Sequence, residues 1–276
     1  MLNDNTSAGD SLSSYHLIES GELQGTAGGS FVRRAHRVFR DRILAPDFSC
    51  VAAKAAFNTD NYAFANYSEL GSPETTAALA RDLERFCRDQ DRMDSDFTTM
   101  VAVFRGPRDM DETAFEARLW EQLRALHRAD ASPYNSEVSA DPRDPTFGFS
   151  FAGRAFFVIG GHPRSSRIAR AFPYPTLVFN AHRQFQALKR DGRWSRFQDT
   201  IRSREMKLQG SLNPNLADHG QASEARQYSG RAVEPEWQAP FPALPDNLRI
   251  PEAHADADRC PFLSAARRFH QENAHD

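Results

Sequence analysis

The sequence lacks the features that mark several large classes of protein. Its three cysteines, Cys50, Cys87 and Cys260, are far apart and form no CxxC pair, which excludes a disulfide framework and a cysteine-rich zinc module. No stretch approaches the roughly 20 apolar residues of a membrane-spanning helix. A formal net charge of −3 creates no general attraction for nucleic acid or anionic lipid. Because the first residues also lack a signal-peptide pattern, we expect a cytoplasmic protein without membrane or nucleic-acid partners.

Motifs that identify common enzyme classes are also missing. The chain has no GxGxxG or GxxxxGK[ST] phosphate loop, no HExxH zinc helix, no GxSxG nucleophile elbow and no pair of ExxH helices. We therefore do not expect a dinucleotide-binding enzyme, a P-loop NTPase, a zincin, an α/β-hydrolase or a di-iron bundle.

Hydrophobic periodicity predicts helices and strands in an irregular order. Apolar residues make up 40% of the chain, which is enough for a sizeable core. Helical spacing is found over 31–44, 72–86, 111–127, 181–190 and 194–207. Short apolar runs predict strands over 61–67, 97–104, 147–151, 155–159 and 176–179, with a tight hairpin between the third and fourth. We expect an α+β fold whose mostly antiparallel sheet is flanked by helices.

The ends of the chain differ from its middle in composition. Residues 1–28 are polar and rich in Gly and Ser, which predicts a flexible N-terminal segment. Six prolines between Ser229 and Phe262 predict a long irregular segment that wraps over the domain, followed by a short helix over 263–270. We expect residues 29–276 to form a single domain.

Positive charge is concentrated in one part of the chain. Between Gly161 and Gly210, eleven Lys and Arg residues stand against three acids, so this basic block carries +8 and the remainder carries −11. Such a block needs anions from its acidic neighbours, from a ligand or from solvent. Over 189–207, a solvated helix face paired with acidic neighbours is as good an interpretation as an anion-binding site.

A histidine and two arginines follow the predicted strand 155–159. The glycines at 160–161 allow a flat ligand to approach, and the next proline disfavours a helical conformation for His162. The residues placed to cap and begin a short helix after it are Ser165, Ser166, Arg167 and Arg170. An imidazole beside two guanidiniums suits a cofactor with a Lewis-acid centre and carboxylate arms, or a substrate carboxylate. The alternative is a histidine that hydrogen-bonds a strand end.

Further polar side chains lie near the end of the chain. Asn180 and His182 follow a strand, where binding residues are frequent, although Asn180 can equally cap the next helix. Residues 208–231 are polar and non-periodic, and we expect them to be ordered and functional. Cys260 is either an inert hydrophobic residue or, as a thiolate, an iron ligand.

These residues resemble those of the YqcI/YcgG-type bacterial haem proteins. The resemblance runs from about residue 30 to residue 262, and its strings are FSCVAAKAAF (48–57), GRAFFVIGGHPRSSRIARAFPYPTLVFNAHRQF (153–185), IRSREMKLQGSLNPNLADHG (201–220), SEARQYSGR (223–231) and RCPF (259–262). It implies a haem b monooxygenase that N-hydroxylates a guanidino or amino nitrogen of L-arginine or a related metabolite, as in D-cycloserine and guanitoxin biosynthesis. Such an enzyme uses O2 and electrons from an external reductase, since this chain has no flavin or NAD motif.

The resemblance also implies ligands for the haem. His162 is the expected proximal iron ligand, and Cys260 and His182 are the alternatives. A Cys-Pro-Phe expected after Trp237 is replaced by Ala239-Pro240-Phe241, which leaves Cys260 as the candidate thiolate. The other residues expected to contact the haem are Ser166, Arg167, Arg170, Tyr228 and Arg231.

A guanidinium substrate is protonated at neutral pH, so the pocket needs a carboxylate to hold it. Glu224 or Asp218 is expected in that role, and Asn180 and His182 are the other expected catalytic residues. Arg226 or Arg231 either holds a carboxylate of the substrate or serves as a structural clamp.

Two other functions compete with this hypothesis. One is a haem-binding sensor or carrier without turnover, and the other is a non-haem protein whose basic block binds an anionic metabolite. The sequence leaves the exact substrate, the reductase and the formation of a homodimer open.

Overall fold

The fold is built on one mixed sheet. The computed structural model describes residues 13–24, 29–93, 95–216 and 222–242 of the chain. The strands in these ranges are β1 (Ser13–Glu19), β2 (Glu22–Leu23), β3 (Tyr62–Glu69), β4 (Thr99–Gly106), β5 (Phe149–Phe151), β6 (Arg154–Gly161) and β7 (Thr176–Ala181). They are hydrogen-bonded in the order β2-β1-β3-β4-β7-β6-β5, and β3 with β4 is the one parallel pair among them.

Helices cover both faces of the sheet. They are α1 (Ser30–Leu44), α2 (Val51–Asn58), α3 (Pro73–Asp89), α4 (Glu112–Ala129), α5 (Arg183–Arg190) and α6 (Trp194–Gln209). The expected α+β fold with a mostly antiparallel sheet is confirmed. None of the helices in the described ranges is long and apolar enough to cross a membrane.

Two helices begin at side-chain caps that the sequence provides. Ser72 Oγ accepts a hydrogen bond from Thr75 N at 3.1 Å, and Pro73 occupies the first turn of α3. Asp111 Oδ1 accepts one from Ala114 N at 2.8 Å and starts α4. These side chains satisfy backbone donors that a helix N-terminus leaves without partners.

The hairpin of β5 and β6 is confirmed. Ala152 (φ 51°) and Gly153 (φ 72°) both adopt the left-handed conformation, as the two central residues of a tight hairpin turn do. Phe149 pairs with Phe156 across the hairpin, and β6 continues to pair with β7 on its other side.

Side chains alternate between the two faces of each strand. The α4 face is covered by α3 and α4, and its strand residues include Phe156, Val158 and Phe179. The α2 face is covered by α1 and α2, and its strand residues include Val101 and Val103. This alternation decides which predicted site residues meet.

The N-terminal prediction was wrong for residues 13–24, which form β1 and β2 instead of a flexible segment. β1 pairs with β3 over five residue pairs, and Tyr15 and Leu17 pack against the core. His16 Nδ1 lies 2.7 Å from Gln24 O and ties the two short strands together. Apolar residues at alternate positions, 15 and 17, drive this pairing.

Part of the irregular C-terminal segment lies in the described ranges. Phe241 is buried against Phe149 at 6.2 Å between ring centroids, so the chain packs on the core as far as this residue. Cys260 and the helix predicted over 263–270 lie outside the described residues.

Candidate functional site

A cavity of about 380 Å³ lies on the α2 face of the sheet. Its floor is formed by side chains of β6 and β7, and its walls by α1, α2, α5 and α6. The aromatic lining residues include Phe39, Phe57, Phe157, Phe172, Phe185 and Trp194. This size and lining are typical of small-molecule sites, and a flat, largely apolar ligand suits such walls.

Two ionisable residues meet in the wall of the cavity. His182 follows β7 directly, and Glu224 begins a single 3-10 turn over Glu224–Gln227. His182 Nε2 lies 3.5 Å from Glu224 Oε2. His182 Nδ1 is buried and has no hydrogen-bond partner in the described part of the chain. The imidazole therefore faces a carboxylate at one nitrogen, and its other nitrogen is buried without a partner in the described ranges.

A buried tyrosine fixes the other oxygen of that carboxylate. Tyr228 OH donates a hydrogen bond to Glu224 Oε1 at 2.8 Å and accepts one from Phe149 N at 3.2 Å. Burial and the nearby carboxylate raise the pKa of Tyr228 well above its usual value, so the phenol keeps its proton. Its ring stacks on Trp120 at 5.5 Å. Tyr228 thus supports the wall from behind; it is not a lining residue.

Asn180 lines the same cavity from within β7. Its Oδ1 accepts a hydrogen bond from Thr99 Oγ1 at 3.1 Å, and its Nδ2 donates to Phe157 O at 3.2 Å. The alternative interpretation of Asn180 as a helix cap was wrong, because the residue belongs to the strand.

Arg170 lines the cavity as well, but its guanidinium is used to hold the chain together. Its Nη1 donates to Gly160 O at 2.9 Å and its Nη2 to Gln227 O at 3.1 Å, which ties β6 to the 3-10 turn of Glu224. Burial lowers the pKa of Arg170 to about 10, so the group stays charged at neutral pH.

Arg167 is not a lining residue and already has an anion as partner. Its Nη2 contacts Glu205 Oε1 at 2.5 Å and Ser211 O at 2.8 Å. The helix predicted to start at the serines was wrong, since the chain forms a single 3-10 turn over Ile168–Arg170 without a side-chain cap. Ser166 donates from both N and Oγ to Glu112 on α4, outside the cavity.

His162 lies on the opposite face of the sheet from the cavity. Phe157 and Ile159 line the cavity, so the alternation of β6 directs Phe156, Val158 and His162 toward α4. The His162 ring is fully buried and stacks on Phe115 of α4 at 4.5 Å. Burial lowers the pKa of the His162 imidazole.

The two glycines before His162 serve close packing of the protein. A Cβ on Gly160 would lie 2.6 Å from Leu119 of α4, and a Cβ on Gly161 would lie 2.5 Å from Phe172. Protein side chains fill the space that the sequence analysis assigned to a flat ligand. The structure therefore separates His162 from His182, Asn180 and Glu224, and brings the last three together.

The remaining arginines act as clamps. Arg231 contacts Glu116 of α4 at 2.8 Å and Glu234 at 2.9 Å. Arg226 donates to the main-chain oxygens of Glu234, Pro235 and Trp237. Neither is a lining residue of the cavity, which favours the clamp interpretation. Asp218, the alternative carboxylate, lies outside the described residues.

Several lining residues were missed by the sequence analysis. Cys50 caps α2 with its sulfur at 3.5 Å from Ala53 N, and burial raises the pKa of its thiol. On α6 the lining residues are Trp194, Phe197, Gln198, Ile201, Arg202 and Glu205. Their spacing of three and four residues was visible in the sequence as one face of a helix. No group of three or more His, Cys, Asp and Glu side chains in the described ranges is arranged to hold a metal ion.

Comparison with known proteins identifies the family. Residues 39–242 match the model of the YqcI/YcgG family. The chain is 24% identical over 229 residues to the protein named "Uncharacterized protein YqcI" of Bacillus subtilis (strain 168), with 80% of this chain and 83% of that protein covered. No solved structure matches the chain. The match spans both the strand that carries Asn180 and the turn of Glu224, and the chain belongs to the YqcI/YcgG family.

Proposed function

We propose that the chain is a haem-dependent monooxygenase that N-hydroxylates a guanidino or amino nitrogen of L-arginine or a related small metabolite. The observation that carries the proposal is the pairing of His182 with Glu224 in the wall of a large aromatic cavity. The resemblance of its motifs to those of YqcI/YcgG-type haem proteins supports this class of reaction.

The cavity residues fit haem b in three respects. The aromatic walls suit the faces of a macrocycle, and His182 offers a buried nitrogen without a partner in the described ranges. Arg170 is a cation among the lining residues, and its charge attracts a propionate while its N–H groups stay bonded to main-chain oxygens. His182 is therefore the iron ligand in this proposal, because His162 faces α4 and is not a lining residue. Haem, when bound, supplies the activation of O2.

Glu224 orients the histidine in this proposal. A ligating imidazole usually donates its second N–H to a carboxylate or a carbonyl, which fixes the ring and raises its basicity. Glu224 Oε2 is positioned to accept from His182 Nε2, while Tyr228 holds Oε1. With both oxygens engaged in this way, Glu224 is less suited to hold the substrate.

Another carboxylate is available for the substrate cation. Glu137 lines the cavity and its side chain is exposed, which puts it at the rim. We assign to it the binding of the guanidinium or ammonium group. In the overall reaction one N–H becomes N–OH, and O2 takes up two electrons and two protons to yield this product and one water. An external donor supplies the electrons.

Absorption spectroscopy tests the proposal. The protein is produced with ample haem precursor, alongside His182→Ala and the matched control His162→Phe, which keeps an aromatic ring against Phe115. We expect a Soret band in the wild type and in His162→Phe, and its loss or marked shift in His182→Ala. L-Arginine with O2 and a chemical reductant should then yield the N-hydroxylated product.

Other outcomes would overturn parts of the proposal. The absence of a Soret band at every haem supply would eliminate haem chemistry and favour a binding protein for an anionic metabolite. A band that responds to His162→Phe and not to His182→Ala would return the ligand to His162. Haem binding without turnover of any guanidine or amine would favour a sensor or carrier.

A further inference from the structure

Of the four large hydrophobic side chains in the described ranges that are more than a third exposed, three lie at one junction. These are Ile168 (44%), Met206 (47%) and Leu212 (42%), which we call the apolar patch. The junction is held together because Gln209 Oε1 accepts from Ile168 N at 2.7 Å and Arg167 bonds to Ser211. These hydrogen bonds fix the C-terminal end of α6 against the turn over Ile168–Arg170, and the three apolar side chains are exposed to solvent there.

Basic residues extend from this patch along α6. Arg196 and Lys207 are exposed on the side of α6 that is turned away from the cavity. They belong to the basic block of +8, while the rest of the chain carries −11. The exposed positive charges of Arg196 and Lys207 therefore attract an acidic protein to this side of α6.

The patch is separated from the cavity by the thickness of one element. Glu205 lines the cavity, and Met206 beside it on α6 is exposed. In the same way, Ala169 and Arg170 line the cavity while Ile168 faces solvent. A molecule bound to the patch is therefore separated from the cavity only by α6 and by the turn over Ile168–Arg170.

We propose that the apolar patch and the basic side of α6 form the docking surface for an acidic one-electron carrier protein, an inference that rests on the proposed function. An apolar centre with methionine inside a charged rim is typical of a specific but transient interface. Such a carrier delivers, one at a time, the two electrons that the N-hydroxylation consumes and is itself oxidised.

Charge reversal tests the surface with an acidic plant-type [2Fe–2S] ferredoxin as the probe. The test variant is Arg196→Glu/Lys207→Glu, and the matched control is Arg81→Glu/Arg88→Glu, two exposed residues of α3 on the other side of the sheet. We expect binding of the ferredoxin to weaken on the order of tenfold in the test variant and to fall with ionic strength. The control should bind like the wild type.

Reduction kinetics separate docking from the haem chemistry. Ferredoxin should reduce the haem-loaded test variant about tenfold more slowly than the control, while dithionite reduces both at the same rate. Met206→Gln should also slow the ferredoxin reaction, since it replaces an apolar contact without changing the charge.

Several results would overturn the inference. Equal binding and equal reduction in the two charge-reversal variants would put the docking surface elsewhere. A dimer that Met206→Gln dissociates, or binding of the wild type to phosphatidylserine vesicles that Lys207→Glu abolishes, would identify a different occupant. A protein that takes up no haem would overturn the proposed function, and with it the electron carrier as occupant. Haem uptake with ferredoxin-independent turnover would overturn only the docking surface.

Discussion

Glu224 Oε2 lies 3.5 Å from His182 Nε2, and this contact joins two distant parts of the chain. His182 follows β7, whereas Glu224 belongs to the SEARQYSGR string, which is attached to β6 by the hydrogen bond from Gly160 N to Tyr228 O at 2.7 Å. The string therefore positions the carboxylate of Glu224 next to the imidazole of His182. Its arginines stabilise this arrangement, which explains why a segment without regular periodicity is ordered.

Tyr228→Phe tests how much this arrangement depends on one hydroxyl. The variant removes the donor to Glu224 Oε1 and leaves the buried Phe149 N–H without its acceptor. We expect the free energy of unfolding to fall by about 1–3 kcal/mol, measured by urea denaturation. If His182 binds haem, the absorption spectrum should also change.

Tyr134→Phe is the matched control for that experiment. It removes another tyrosine hydroxyl, whose hydrogen bond at 2.6 Å goes to Gly148 O and not to the carboxylate of Glu224. A comparable loss of stability with an unchanged spectrum is expected. An equal spectral change in both variants would mean that Tyr228 acts only through general stability.

Glu224→Gln and Glu137→Gln should affect different properties. Glu224→Gln weakens the polarisation of His182 and should change the spectrum and reduction potential of the loaded protein, with substrate affinity nearly retained. Glu137→Gln should weaken binding of a guanidinium substrate roughly tenfold and leave the spectrum of the substrate-free protein unchanged. Substrate titration followed by the Soret band measures both, and the reverse pattern would return the substrate cation to Glu224.

Local sequence patterns predicted the elements of this fold, but they could not show which elements enclose the cavity. The helix over 72–86 and the tight hairpin between the strands at 147–151 and 155–159 depend on neighbouring residues, and both were predicted correctly. His162 illustrates the limit. The alternation of β6 fixes that it shares a face with Phe156 and Val158, yet only the packing of α4 against that face shows that it lies away from the cavity.

The candidate site was predicted in part for the same reason. Asn180, His182 and Glu224 were expected to act together, and they do line one cavity. Arg167 and Arg231 were expected near the haem from the family resemblance, but they form ion pairs with Glu205 and Glu116. Pairing between residues so far apart in the chain depends on the tertiary structure and leaves no local signal.

Alanine substitutions at the two adjacent glycines should have separable effects. Gly160→Ala introduces a Cβ at 2.6 Å from Leu119, and Gly161→Ala introduces one at 2.5 Å from Phe172 and 2.8 Å from Arg170 O. Each should lower the free energy of unfolding by about 1–3 kcal/mol, because a close-packed core resists added volume. Phe172 lines the cavity, so only Gly161→Ala should also weaken ligand binding. Equal binding by both variants would contradict this assignment.

Mild acid should destabilise the protein through His36. This histidine of α1 is buried against Tyr62, and burial lowers its pKa to about 4 from the usual 6.5. Between these two pKa values the unfolded chain binds a proton at His36 that the folded chain does not bind. The part of the free energy of unfolding that depends on neutral His36 is therefore fully present above pH 6.5 and is lost as the pH falls toward 4. The shift limits the effect to about 3 kcal/mol. Urea denaturation at a series of pH values should show this slope in the wild type and a smaller one in His36→Gln; parallel curves would exclude His36 as its source.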